Sequence, residues 1–142
     1  MSNLEHGKVL NALRKKKPEH MEDFVGLYVT KIEGGLKDDN ELTLHCDPYS
    51  SIRFFHSQDC CESVAIEDVC GDWNDILGEQ LTECREATNV EAPDRKVDSY
   101  ESITWTFYIF SSVKGSVTVR WLGESNGYYS ESVDCEIRNN LK

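Results

Sequence analysis

Alternation of apolar and polar residues runs through this chain from residue 24 onward and predicts β-strands. In 41–46, for example, Leu42 and Leu44 lie on one face of an extended segment and polar residues on the other. The predicted strands are 24–32, 41–46, 52–56, 63–69, 103–110, 116–121 and 129–137, with 81–88 ambiguous. Turn dipeptides such as Asn126-Gly127 separate the last strands, which we therefore predict to form an antiparallel meander.

The N-terminal segment follows a different period. Leu4, Val9, Leu10 and Leu13 form an approximate helical stripe, and Pro18 ends or restarts that helix. We therefore predict an α+β fold, a twisted and meander-rich antiparallel β-sheet with an N-terminal helix. We expect residues 1–20 to form a basic helix or arm that the fold does not require, and residues 24–142 to form a single antiparallel-sheet domain. The polar stretch 89–100 is predicted to be a mobile loop.

Charge is distributed unevenly along the 142 residues, whose formal net charge is −11. Residues 1–17 hold five cations against Glu5, a net of +4, so residues 18–142 carry −15. A body this acidic excludes direct nucleic-acid binding, which requires cations that displace counterions from phosphates. The acidic charge has two interpretations. It keeps the protein in solution, or it imitates a polyanion and occupies a basic groove on a partner protein.

Hydropathy and cysteine usage point to a soluble protein of the cytoplasm. No apolar stretch reaches the length of a membrane span, and no secretory signal follows the N-terminal charges. We therefore expect the six cysteines to be free thiols. Adjacent Cys60 and Cys61 are not expected to pair with each other, since successive side chains of a strand point to opposite faces.

The run His56-Ser57-Gln58-Asp59-Cys60-Cys61-Glu62 is the densest set of reactive side chains in the chain. His56, Asp59, Cys60 and Cys61 are potential zinc ligands, but the spacing of a zinc site is missing, and we assign neither metal nor cofactor. If the protein were an enzyme, these four residues would be its catalytic set, with His56 activating a cysteine. The alternative is that one cysteine is a small core residue, Asp59 caps the turn through its own backbone and His56 is an ordinary surface side chain.

Aromatic residues beside Arg120 form a second candidate site. Trp105, Tyr108, Trp121, Tyr128 and Tyr129 could stack on a nucleotide whose phosphate Arg120 binds, or they could fill the core of the sheet. We predict that the turn at 56–62 and the strand ends around 120–129 form one surface, on which Glu62 and Arg120 are coupled. The predicted ligand- or partner-binding residues are His56, Asp59, Glu62, Arg120, Glu124, Asn126, Tyr128 and Tyr129.

Several motifs resemble a family of small, uncharacterised proteins encoded by bacteriophages and prophages. The resemblance covers about 24–137 and rests on the core motif at 56–64 and a C-terminal motif, Arg120-Trp121-Leu122-Gly123-Glu124-Ser125-Asn126-Gly127-Tyr128-Tyr129-Ser130. Shorter matching stretches lie at 66–68, 71–72, 105–108 and 115–117. The resemblance implies a phage origin and action inside the host bacterial cytoplasm, and it supplies no reaction.

Three functions are consistent with these observations. The first is a phage accessory protein, not an enzyme, that binds and inhibits a host protein or anti-phage defence complex through its acidic surface. The second is a sponge-like protein that sequesters a nucleotide signal. The third is a cysteine- or metal-dependent enzyme that uses the run at 56–62.

Overall fold

The computed structural model describes residues 15–16, 18–47, 50–89 and 102–139. These residues contain nine β-strands and two short 3₁₀ helices, joined by turns and loops. The 3₁₀ helices span Pro18–Phe24 and Trp73–Asp75. The strands are β1 (Lys15–Lys16), β2 (Val29–Gly34), β3 (Glu41–Cys46), β4 (Ser50–Phe55), β5 (Ser63–Cys70), β6 (Glu83–Asn89), β7 (Ser102–Ser111), β8 (Ser116–Ser125) and β9 (Asp134–Asn139).

The strands form two antiparallel sheets. One has the order β1-β9-β4-β3-β2 and the other the order β5-β8-β7-β6. Their inner faces share one hydrophobic core, in which the rings of Phe54 on β4 and Tyr108 on β7 lie 4.4 Å apart between centroids. Burial of such aromatic surface is the main force that holds two sheets together.

Strand alternation explains which residues reach this core. On β4, Ile52 and Phe54 are fully buried, whereas Arg53 between them points to the outer face. There Arg53 forms ion pairs with Glu41 of β3 and Glu136 of β9. The outer face of the five-stranded sheet therefore carries charges of both signs, as the period of two requires.

The predicted α+β class with an N-terminal helix is wrong. Within the described residues there is no α-helix, and the basic block ends in β1, where Lys15 and Lys16 lie opposite Glu136 and Cys135 of β9. Proline disfavours helical geometry in the residue before it, so Pro18 opposes a helix that continues through the basic block. The apolar stripe at 4–13 and most of the predicted loop at 89–100 lie outside the described residues.

The predicted C-terminal meander is also wrong in its last strand. β7 and β8 form the expected hairpin, but β9 lies in the other sheet, between β1 and β4. The chain therefore crosses between the sheets twice. The first crossing, residues 56–62, joins β4 to β5, and the second crossing, residues 126–133, joins β8 to β9.

Buried Glu131 explains why Asn126-Gly127 does not close a hairpin. Its carboxylate accepts hydrogen bonds from Ser125 Oγ at the end of β8 and from Thr104 Oγ1 on β7, the latter at 2.7 Å. Glycine at 123 lets the chain approach closely, because a Cβ there would lie 2.4 Å from the Glu131 carbonyl oxygen. These contacts direct the chain across the end of the four-stranded sheet instead of back along β8.

Candidate functional site

Glu62 is the centre of the first crossing. Its side chain is fully buried immediately before β5, and its carboxylate accepts three hydrogen bonds. The donors are His56 Nε2 at 2.7 Å, the Asp59 backbone N–H at 2.8 Å and the Cys60 backbone N–H at 2.9 Å. A buried carboxylate requires such partners, so the loop closes around Glu62.

His56 connects the two crossings. Its Nε2 faces the Glu62 carboxylate, and its Nδ1 lies 2.7 Å from the Ser132 carbonyl oxygen. The atoms opposite the two ring nitrogens are oxygens of Ser132 and Glu62, so both sides of the imidazole have a polar partner and the ring is fixed between the two crossings. The His56 hydrogen bond, helped by the backbone N–H groups of Cys60 and Asp59, lowers the pKa of Glu62 to about 2 despite the opposing effect of burial.

Two further contacts fix the first crossing. The Ser57 backbone N–H donates to Asp134 Oδ2 at the start of β9, at 2.9 Å. The Gln58 side-chain amide donates to the Glu62 carbonyl oxygen at 2.6 Å. His56, Gln58 and Glu62 therefore hold the loop, and His56 and Ser57 attach it to the chain around the second crossing.

Cys60 and Cys61 lie exposed on this loop and form a disulfide with each other. This corrects two expectations, that all six cysteines are free thiols and that these neighbours do not pair. The argument against pairing assumed an extended strand, whereas residues 56–62 turn around Glu62, outside any strand. The other four cysteines are free, with Cys46, Cys84 and Cys135 buried and Cys70 exposed.

The second crossing carries the two tyrosines of the predicted binding set, of which Tyr128 is exposed and Tyr129 is half-buried. Tyr128 is 82% exposed, and its ring meets that of Tyr129 edge to face with 4.9 Å between centroids. Asn126 Oδ1 accepts a hydrogen bond from the Tyr128 backbone N–H at 2.9 Å, so Asn126 shapes the turn. Glu124 is buried on β8 opposite Ser63 of β5, close to the first crossing.

Arg120 lies away from these residues. On β8 it is opposite Asp68, six residues beyond Glu62 along β5, which corresponds to roughly 20 Å at about 3.3 Å per residue. Its guanidinium binds Glu67 at 2.6 and 2.8 Å and covers the ring of Trp105, 5.1 Å from the centroid. The structure thus brings together His56, Glu62 and the second crossing, and places Arg120 elsewhere.

The aromatic residues predicted to stack on a nucleotide are also separated from one another in the structure. Trp121 and Tyr108 are fully buried in the core between the sheets, and Trp105 is 2% exposed beneath Arg120. Of the five predicted aromatic residues, only Tyr128 is exposed, and Tyr129 is half-buried. The Arg120 guanidinium, predicted to bind the phosphate of a nucleotide, is bound by Glu67 instead.

Carboxylates lie along β5, an edge strand of its sheet, in the loop bonded to it and just after its end; they are here called the acidic edge: Asp38, Asp39, Glu67, Asp68 and Asp72. Hydrogen bonds from the Asp38 N–H to the Ile66 carbonyl and from the Ile66 N–H to the Asp39 carbonyl, both 2.8 Å, hold the 38–39 turn against the strand. An irregularity in the β5–β8 register between Ile66 and Asp68 accommodates Glu67. The Trp73 ring N–H donates to the Gly35 carbonyl at 2.9 Å and attaches the turn containing Asp72 to the same loop.

Comparison with known proteins identifies the family of this chain. Residues 13–135 match a family model described as a domain of unknown function, DUF7448. The chain belongs to this family. The match confirms the expectation that the chain belongs to an uncharacterised family. The matched residues of this DUF7448 chain include both crossings and the acidic edge. No curated protein and no solved structure matches the chain.

Within the described part of this DUF7448 protein, no three His, Cys, Asp or Glu side chains are grouped so that they could hold a metal ion. The same residues contain no helix long and apolar enough to cross a membrane. The acidic edge was missed at the sequence level, where Asp38-Asp39 indicated only a loop. Its contact with β5 joins residues 27 positions apart, and no local pattern encodes it.

Proposed function

We propose that this protein is a phage accessory protein that acts by binding, without catalysis, in the host bacterial cytoplasm. Its target is a host protein or anti-phage defence complex with a basic surface, which it inhibits or redirects. The single observation that carries the proposal is the acidic edge, where five carboxylates from three parts of the chain share one edge of a sheet.

Local charge at this edge favours a cationic partner. Of the five carboxylates, Glu67 is neutralised by Arg120, whose Nη2 lies 2.6 Å from Glu67 Oε1. The same Nη2 lies 3.9 Å from Asp68 Oδ2. Asp38, Asp68 and Asp72 are exposed to solvent. Charges on one surface attract and orient a partner of opposite charge, so a basic surface that matches the exposed carboxylates of the acidic edge gains attraction and orientation from them.

The hydrogen bonds of the first crossing support a binding role over an enzymatic one. Both nitrogens of His56 are engaged, and the Glu62 carboxylate holds three donors. A general base needs an accessible lone pair near its substrate, which neither side chain offers. These residues instead shape the loop between the sheets. Phage origin and cytoplasmic action rest on the motif resemblance at 56–64 and 120–130.

The test compares two double variants with the same net charge. Asp38→Asn with Asp68→Asn removes charge from the acidic edge, and Glu22→Gln with Glu33→Gln removes it elsewhere. Each pair changes the formal charge from −11 to −9. Asp38 has a φ of 76°, a conformation that asparagine tolerates well, so the first pair keeps the turn.

The readout is plating of a defence-sensitive phage on bacteria that carry the defence system and express each variant. We expect the edge pair to lose protection of the phage and the control pair to keep it. Binding of the wild-type protein to the purified defence component should also weaken steeply with added salt. Equal protection by both pairs would contradict the proposal. A rise in melting temperature with a nucleotide would instead favour the nucleotide-binding alternative.

A further inference from the structure

The exposed sulfur pair Cys60–Cys61 has no role in the proposed function. Both residues are exposed at the tip of the first crossing, and their sulfurs are bonded to each other. An accessible disulfide is open to attack by a thiolate from solution, which is the first requirement for thiol–disulfide exchange.

The loop is also held by contacts that do not involve the two sulfur atoms. The backbone N–H groups of Asp59 and Cys60 bind the buried Glu62 carboxylate, which His56 holds from the other side. The Gln58 amide also donates to the Cys60 carbonyl oxygen at 3.3 Å. None of these hydrogen bonds uses a sulfur atom, so reduction of the disulfide removes none of their donors or acceptors, and the two cysteines are neighbours in the chain. Reclosure is therefore intramolecular and fast relative to capture of a second external thiol.

The remaining cysteines differ from this pair in ways that make the exchange selective. Cys46, Cys84 and Cys135 are buried in the core. Burial raises the pKa of Cys46 and of Cys135 to about 12, which suppresses the nucleophilic thiolate at neutral pH. Cys70 is exposed but free, so it can form only a mixed disulfide and not an internal one.

We propose that Cys60 and Cys61 form a reversible thiol–disulfide site whose co-substrate is a low-molecular-weight thiol of the glutathione class. A glutathione thiolate attacks one of the two sulfurs, the S–S bond breaks, and the other cysteine leaves as a thiolate that takes up a proton. A second glutathione thiolate attacks the glutathione sulfur of the mixed disulfide and releases the remaining cysteine. The protein disulfide gains two electrons, and two glutathione molecules become one glutathione disulfide.

The site is independent of the acidic edge, so either proposal can fail alone. The test equilibrates the full-length protein without oxygen in buffers of reduced and oxidised glutathione. Acid then stops the exchange, and thiols are alkylated with N-ethylmaleimide in denaturant and counted by intact mass spectrometry. Since the chain has six cysteines, the reduced protein should carry six labels and the oxidised protein four.

We expect the four-label and six-label species to interconvert, with their ratio changing about tenfold for each tenfold change in [GSSG]/[GSH]². Peptide mapping of the wild type should place the two variable labels on Cys60 and Cys61. Cys60→Ser and Cys61→Ser should each abolish the two-label step, which is the difference of two labels between the reduced and the oxidised protein. Each variant should instead accumulate one glutathione adduct. Cys70→Ser, the matched exposed control, should keep the two-label step.

Three results would overturn the proposal. The first is six labels at every glutathione ratio. The second is variable labels that map outside residues 60–61, and the third is an oxidised form that is a covalent dimer on non-reducing gels. Because mapping uses the wild-type chain, the conclusion does not depend on the folding of any variant.

Discussion

Replacing Thr104 with valine tests whether Glu131 directs the second crossing. The Thr104 hydroxyl donates to the Glu131 carboxylate at 2.7 Å, and Glu131 is only 8% exposed. Valine keeps the shape of the side chain but removes the donor, and a hydrogen bond to a charged group contributes about 1.5–3 kcal/mol. We therefore expect Thr104→Val to lower the free energy of unfolding by about 2 kcal/mol. The melting temperature should fall by about 5–10 °C for a domain of this size.

Urea unfolding followed by tryptophan fluorescence measures this change. Thr118→Val is the matched control, because Thr118 is also half-buried on the four-stranded sheet and its hydroxyl bonds no carboxylate among the described residues. In a Glu131→Gln background the effect of Thr104→Val should shrink, with a coupling of about 0.5–3 kcal/mol. If Thr104→Val is no more destabilising than Thr118→Val, the carboxylate does not hold the crossing and our account of it is wrong.

Four further predictions concern stability. The pKa of Glu62 in the folded protein is about 2, below its ordinary value of 4.5, so the ionised carboxylate's contribution to folding stability is complete above pH 4.5 and is lost as the pH falls towards 2. Melting temperatures measured over a series of pH values should show this loss, and Glu62→Gln should give a flatter dependence on pH. Phe54→Ala should lower the free energy of unfolding by about 3–5 kcal/mol in urea, because it empties the fully buried centre of the core. Gly123→Ala should cost about 1–3 kcal/mol by the same measurement, since its Cβ meets the Glu131 carbonyl. Removing residues 1–12, which precede the family match, should leave a single cooperative calorimetric transition.

Strands could be predicted from the sequence because their signal is local. The predicted strand 41–46 coincides with β3, and the hairpin of β7 and β8 has the expected pairing. Alternation with a period of two identifies such segments whatever lies beside them. The same pattern does not say which sheet a strand joins, and for that reason β9 was placed beside β8 and not beside β4.

The candidate site could be located but not assembled from the sequence. The density of polar groups at 56–62 correctly indicated an unusual segment, and Glu62 is its buried centre. The partners of His56 and Arg120, however, come from distant parts of the chain: Ser132 lies 76 residues from His56, and Glu67 lies 53 residues from Arg120. Both stretches hold polar and reactive groups that folding does not require, which suggested that Glu62 and Arg120 act together, whereas the strand register separates them.

The position of β9 has a consequence for how the chain folds as it is synthesised. The four-stranded sheet is built from one continuous segment, β5 to β8, and can pair its strands as soon as residue 125 has left the ribosome. The five-stranded sheet must wait, because residues 134–139 insert between β1 and β4. Until then β4 has an unpaired edge, which is open to pairing with other chains. Late closure by distant residues also slows folding, so this protein's exposure to aggregation is concentrated in the interval before its last strand arrives.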